Sequence, residues 1–149
     1  MTKEEFLTQI NSKLKLVRTE YDLTQDKMAV ILGISKKTLV ESEKGRRSLG
    51  WTEAVALTAI FADSTVLQDA FGDDLVEMVS ALALEDVEVR YPRTMGGKVW
   101  WKQIKSKNGY KIQQNVISGH YRVLDPNDGR MISSFHLETV EQYLKDEAK

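Results

Sequence analysis

The sequence predicts an α+β protein, an all-helical N-terminal bundle followed by a small antiparallel-sheet domain with a C-terminal helix. Three observations predict it. From Phe6 to Leu84, apolar residues recur at three- and four-residue steps, the period of helices with one buried face. After Gly97 the chain turns to Trp, Tyr, Val and Ile alternating with polar residues, the period of strands. Between them, Pro92 and Gly96-Gly97 interrupt both patterns. The boundaries follow: a first domain over 1–72, a helix and linker over 73–97, and a small α+β domain over 98–149.

A first helix is expected from Lys3 or Glu4 to Glu20, with Phe6, Ile10, Leu14 and Val17 as its buried stripe. Tyr21-Asp22-Leu23 then turns into a second helix over Gln25 to Leu32 that buries Met28, Ala29 and Leu32. Ala29, Gly33 and Leu39 have the spacing of two short helices joined by a tight turn: a small residue where helices cross, a glycine able to take φ > 0, and a branched side chain to bury. Thr24 and Ser35 stand one residue before each helix, where a side-chain oxygen caps unsatisfied backbone N–H groups. The third helix spans Lys36 to Lys44 and stops at Gly45. Arg46 to Gly50 is a basic loop, Trp51 to Ala62 an apolar fourth helix that closes the bundle, and Ser64 the cap of a short fifth helix ending near Phe71. Asp73-Asp74 caps a further helix through Leu84, whose apolar positions 75, 79 and 82 fit core packing, with a dimer contact as the other reading.

Beyond the linker, Tyr110 to Gln113 and His120 to Leu124 alternate as strands do, and Asp125-Pro126-Asn127-Asp128-Gly129 is a turn into a third strand through Met131-Ile132. Val99 to Ser106 fits a strand entering an Asn108-Gly109 hairpin, and also a helix with Trp100 and Ile104 one turn apart; the strand is preferred. His136 to Glu147 places Leu137, Val140, Tyr143 and Leu144 on one face of a closing amphipathic helix.

The chain has 149 residues, 42% of them hydrophobic, enough for one ordinary domain or two small ones. No apolar run reaches membrane-spanning length and MTKEEF lacks the pattern of a secretion signal. Zero cysteines exclude disulfides, a thiol nucleophile and thiolate metal sites. A cytoplasmic protein without membrane contact is the expectation. The net charge of −1 hides a segregation: +3 over 1–50, −7 over 51–95 and +3 over 96–149. Residues 96–124 hold Lys98, Lys102, Lys105, Lys107, Lys111 and Arg122 and no acid, which suggests a basic patch.

Leu14, Arg18, Leu23-Thr24-Gln25, Ala29, Leu32-Gly33-Ile34-Ser35, Thr38-Leu39 and Glu43-Lys44-Gly45-Arg46 make residues 14 to about 61 resemble the lambda-repressor-like, XRE-family helix-turn-helix domain of bacterial and phage regulators. The resemblance implies a transcriptional regulator, by expectation a repressor, that reads double-stranded DNA as a homodimer with residues 36–44 in the major groove. Its contacts carry over by position. Gln25, beside Thr24 at the start of helix two, would hold a phosphate and brace the recognition helix. Lys36 and Lys37, after Ser35, would reach guanine or phosphates, Glu41 cytosine N4 and Val40 a thymine methyl; Thr38, Lys44, Arg46 and Arg47 are placed for the backbone. Arg18 and Glu43 match a structural ion pair between helices one and three. Two departures stand out: Ser42 occupies a position usually large and apolar, and Glu41 puts an anion on the DNA-facing surface. The alternative from another class is an antitoxin-like or protein-interaction module that uses the same fold for assembly.

The C-terminal region resembles tails that follow such domains in small regulators of Gram-positive bacteria, and three roles stay open. Trp100, Trp101, Tyr110 and Tyr121 among lysines would contact nucleic acid, or the aromatics form a core, or the module dimerises or senses a small-molecule, peptide or protein effector. No catalysis, metal or cofactor is expected. His120 and His136 have no metal-ligand spacing, Ser118-Gly119-His120 with Asp125 lacks a nucleophile elbow, and the glycines form no phosphate loop.

Overall fold

The computed structural model describes residues 1–90 and 100–149. The chain is α+β, in the order α1 (Lys3–Glu20), α2 (Gln25–Leu32), α3 (Lys36–Glu43), α4 (Trp51–Ile60), α5 (Thr65–Phe71), α6 (Leu75–Leu84), β1 (Trp101–Lys107), β2 (Tyr110–Asn115), β3 (Tyr121–Leu124), β4 (Arg130–Ser134) and α7 (Leu137–Glu147). It divides into two compact units, Met1–Tyr91 and Pro92–Lys149, each with its own hydrophobic core. Among the described residues no single helix is long and apolar enough to cross a membrane. Lys98, Val99 and the expected linker residues 91–97 lie outside the described residues.

The first core is the shared inner side of six helices. Phe6, Ile10, Leu14 and Val17 run along α1 fully buried, at the spacing that puts them on one face. Phe6 meets Trp51 and Phe71 edge to face, with centroids 5.9 and 5.4 Å apart. Leu75, Val79 and Leu82 join this core, so the apolar stripe of α6 serves packing. The fourth helix ends at Ile60 rather than Ala62. Phe61 leaves helical geometry there and its carbonyl accepts from the Ser64 N–H at 3.0 Å, a turn that starts α5. The end of α1 caps that helix: the Ser64 and Thr65 hydroxyls donate to the Glu20 carboxylate, as does the Thr65 N–H at 2.8 Å. Burial opposes ionisation of Glu20, but these donors and the Val66 N–H outweigh it and hold the carboxyl below its usual range.

The second unit is a four-stranded antiparallel meander, β1-β2-β3-β4, with α7 across β2, β3 and β4. The segment that fitted either strand or helix is a strand from Trp101. It enters a hairpin in which Asn108 and Gly109 take φ of 51° and 84°, the geometry that twists a two-residue loop to match its strands. A Cβ on Gly109 would stand 3.0 Å from the Pro126 ring, a tight contact added to the strain of its positive φ. The register pairs Ile112 with Val123 and Val123 with Ile132, placing all three on one face under Val140, Leu144 and Ala148. Period two from Ile112 and Val123 carries Tyr110 and Tyr121 to that same face, where they pack against the core. The tyrosines offered to nucleic acid by the sequence are therefore half-buried against this core, while Trp100 and Trp101 are not part of that packing.

Candidate nucleic-acid interface

Helices α2 and α3 are short and depend on their ends. The Thr24 hydroxyl accepts from the Lys27 N–H at 3.2 Å, and the Ser35 hydroxyl accepts from the Thr38 N–H at 3.1 Å. The Ser35 hydroxyl also donates to the Thr38 hydroxyl at 2.9 Å. These three polar side chains are thus held by the fold's own caps. Gly33 joins the helices with φ of 70°, and its N–H donates to Val30 O while the Ile34 N–H donates to Ala29 O at 3.0 Å. No atom lies within 4 Å of where a Cβ on Gly33 would stand, so backbone conformation alone demands glycine there.

One side of α3 is locked inward. Leu39 and Ser42 are buried, and the Glu43 side chain is 4% exposed. Arg18 Nε donates to both Glu43 oxygens at 3.0 and 3.1 Å, Nη2 donates at 2.8 Å, and Nη1 donates to the Leu23 carbonyl at 3.0 Å. A single guanidinium therefore ties α1, α3 and the turn into α2 together. Gln25 Nε2 donates to the same carboxylate at 3.5 Å, so its side chain braces α3 from α2.

The slot at Ser42 is not empty. Asn11, on α1, donates to the Ser42 carbonyl at 3.4 Å and accepts from the Leu49 N–H at 3.0 Å, while Arg47 Nη1 donates to the Ser42 hydroxyl at 3.4 Å. A short polar residue leaves room for this link between α1, the end of α3 and the following loop. The sequence gives little sign of Asn11, which sits beside the apolar stripe and contacts residues far along the chain.

The other side of α3 faces outward. Lys37, Val40, Glu41 and Lys44 follow at i, i+3, i+4 and i+7, opposite Leu39 and Ser42, and form one exposed to half-exposed stripe. Its charges are partly matched within the protein. Lys36 pairs with Asp26 at 3.3 Å and Arg46 with Glu41 at 3.8 Å. Arg47 donates twice to Glu53, at 3.1 and 3.0 Å, and Glu53 also accepts from the Gly50 N–H at 3.0 Å. The Arg47 bonds hold the Glu53 carboxyl below its usual range despite burial, and in turn raise the guanidinium. Arg47 thus anchors the basic loop to the start of α4. Among the described residues Lys37 and Lys44 carry no ion pair. Of the residues the sequence nominates, the structure gathers Lys37, Val40, Glu41 and Lys44 on one outward stripe with Lys36 and Arg46 beside it. Thr24, Gln25, Ser35, Thr38, Arg18, Glu43 and Arg47 make the bonds that hold it.

In the second unit, Ser118 bonds His120 through Nδ1, and Asp125 accepts from the N–H groups of Asn127 and Gly129 within its own turn. Among the described residues no three His, Asp or Glu side chains converge as a metal site requires. Compared with protein-family models, curated proteins and solved structures, the chain has no match.

Proposed function

We propose that this protein binds double-stranded DNA by laying α3 in the major groove, and acts as a transcriptional regulator. The observation that carries the reading is the two-sidedness of α3: its inner side is pinned by Arg18, Gln25 and Asn11, while Lys37, Val40, Glu41 and Lys44 stand outward on one stripe. A helix is what the groove admits, and lysines with a neighbouring carboxylate and a branched apolar group are the side chains that address base edges and phosphates. Lys37 and Lys44, which no internal carboxylate neutralises among the described residues, are the cations best placed to contact the duplex. Two-fold operators read by a homodimer and repression follow from the family resemblance, a cytoplasmic setting from the lack of cysteines, and no reaction is assigned.

A second reading, assembly with a partner protein, is favoured by one surface: Leu23, Val30 and Ile31 line a shallow apolar depression on the outside of α2, with Val30 81% exposed. Selection of genomic fragments by the purified protein separates the two. Recovery of a common sequence that Lys37→Glu with Lys44→Glu abolishes supports DNA reading. Equal retention of all fragments by both proteins rejects it.

A further inference from the structure

The charges of the second unit are sorted by layer. Its four strands carry Lys102, Lys105, Lys107, Lys111, Arg122 and Arg130 and no acid; its carboxylates lie in the β3–β4 turn or in α7 and the residues after it. Asp125 accepts from N–H groups of its turn and Asp128 pairs with Lys111 at 2.9 Å. Since α7 covers one face, the other face of the sheet is the one left open, and by period two it includes Lys111, which Asp128 of the turn neutralises. The register places Trp101, Gln103, Gln113, Arg122 and Ser133 on it.

Arg122 is the centre of this face. Its guanidinium lies 3.7 Å from the centroid of the Trp101 ring, and Nε and Nη2 both donate to Gln113 Oε1 at 2.9 and 2.8 Å. The Trp101 ring is in turn braced by the edge of His120 at 5.0 Å, and His120 contacts Phe135 at 5.7 Å. Among the described residues no carboxylate pairs with Arg122. Burial, with Arg130 nearby, makes the charged form of Arg122 less favourable than usual, which an anion would relieve. A half-buried arginine held over an indole and bonded, among the described residues, to a neutral amide rather than a carboxylate is a fork set in place before its anion arrives.

We propose that the face of the sheet opposite α7 is a second DNA-binding surface, on which Arg122, held by Trp101 and Gln113, grips the phosphate backbone of a duplex. The surface stands on this unit's own geometry; the choice of DNA among polyanions rests on the reading of α3. A duplex is favoured over a single strand because Arg122 already covers the Trp101 ring, leaving that face closed to a stacked base. Gln103 and Ser133 flank the fork with neutral donors suited to phosphate oxygens.

Binding of a labelled random-sequence duplex to the full chain, followed by anisotropy across a salt series, tests this. Arg122→Gln is expected to weaken affinity about fivefold at low salt and to flatten the logarithmic salt slope by about 0.9, the change for one lost phosphate contact. Arg122→Lys, which keeps the charge without the planar fork, should restore most of the slope; should Arg122→Gln fail to fold, Gln113→Ala, which frees the guanidinium, is read in its place and should weaken duplex affinity, parent-like binding refuting the surface. Lys37→Glu with Lys44→Glu should reduce binding separately. If Arg122→Gln, folded as judged by its melting curve, binds as the parent does while the α3 variant loses affinity, the sheet surface is refuted and α3 stands. An effect at Arg122 with none at α3 supports the sheet surface and removes α3. Tighter binding to the single strand, or to vesicles of anionic phospholipid, than to the duplex overturns the assignment.

Discussion

Arg18 does more for the fold than its place on a solvent-bordering helix suggests. Its side chain is 14% exposed against 4% for Glu43, so removing it strands a nearly buried carboxylate and the Leu23 carbonyl. Arg18→Ala should cost about 3 kcal/mol, the lower part of the range for breaking a buried pair. A urea titration should show the lowered midpoint, with sequence preference retained by whatever remains folded. Gly33→Ala should cost about 1 kcal/mol, because an L side chain is disfavoured at positive φ even where space is open; an unchanged melting temperature would contradict it. At this scale Gly33, Thr24 and Ser35 were legible, since turn and cap chemistry is local. Arg18 with Glu43 came from the resemblance alone. Asn11 and Glu53 were missed for different reasons. Asn11 meets Ser42 and Leu49 from 31 and 38 residues away, beyond any periodic pattern. Glu53, three residues after Gly50, carried a capping signal in plain view.

Helices α2, α3, α5 and α6 start where a side-chain oxygen accepts a backbone N–H, which is why their beginnings were readable and their ends less so. α5 is the clearest case, capped by Ser64 and by Glu20 from another helix. With its folded-state acidity increased, Glu20 adds stability that is fully present above the ordinary carboxylate range and is lost as pH falls through its lowered value. Glu20→Gln should lose roughly 0.5 kcal/mol at neutral pH, the scale of an anion at a helix N-terminus. Its stability should also fall less steeply than the parent's on acidification, as thermal melts between neutral and acidic pH would reveal. For α3, Lys37→Glu with Lys44→Glu should leave the melting temperature nearly unchanged, since both side chains are exposed, yet flatten the salt dependence of duplex binding by about 0.9 per lost contact. The strand β1 was ambiguous because its residues satisfy both periods. Pairing with β2 decides it, and that pairing belongs to the sheet rather than to the segment.

Across the whole molecule, the α+β order of elements was written in the change of period near residue 97, and the separate cores bear out why that change is sharp. Each unit has its own buried core, so a chain shortened to residues 1–90 should unfold in a single cooperative transition, checked by calorimetry against the parent. The faces of the second unit were not legible. Lysines and arginines alternate through its strands, but only the register separates the lysines of β1 that share the side of α7 from Arg122 on the other. Composition identifies a basic region; pairing decides which of its charges stand together.

The partnership of Lys36 with Asp26, Arg46 with Glu41 and Arg47 with Glu53 bears on how such a protein would search a genome. A surface that has quenched most of its own positive field holds random duplex weakly and leaves it quickly. Residence would then be governed by fit at the groove, where a matching site must draw cations away from their internal acids, and unrelated sequences would detain few copies.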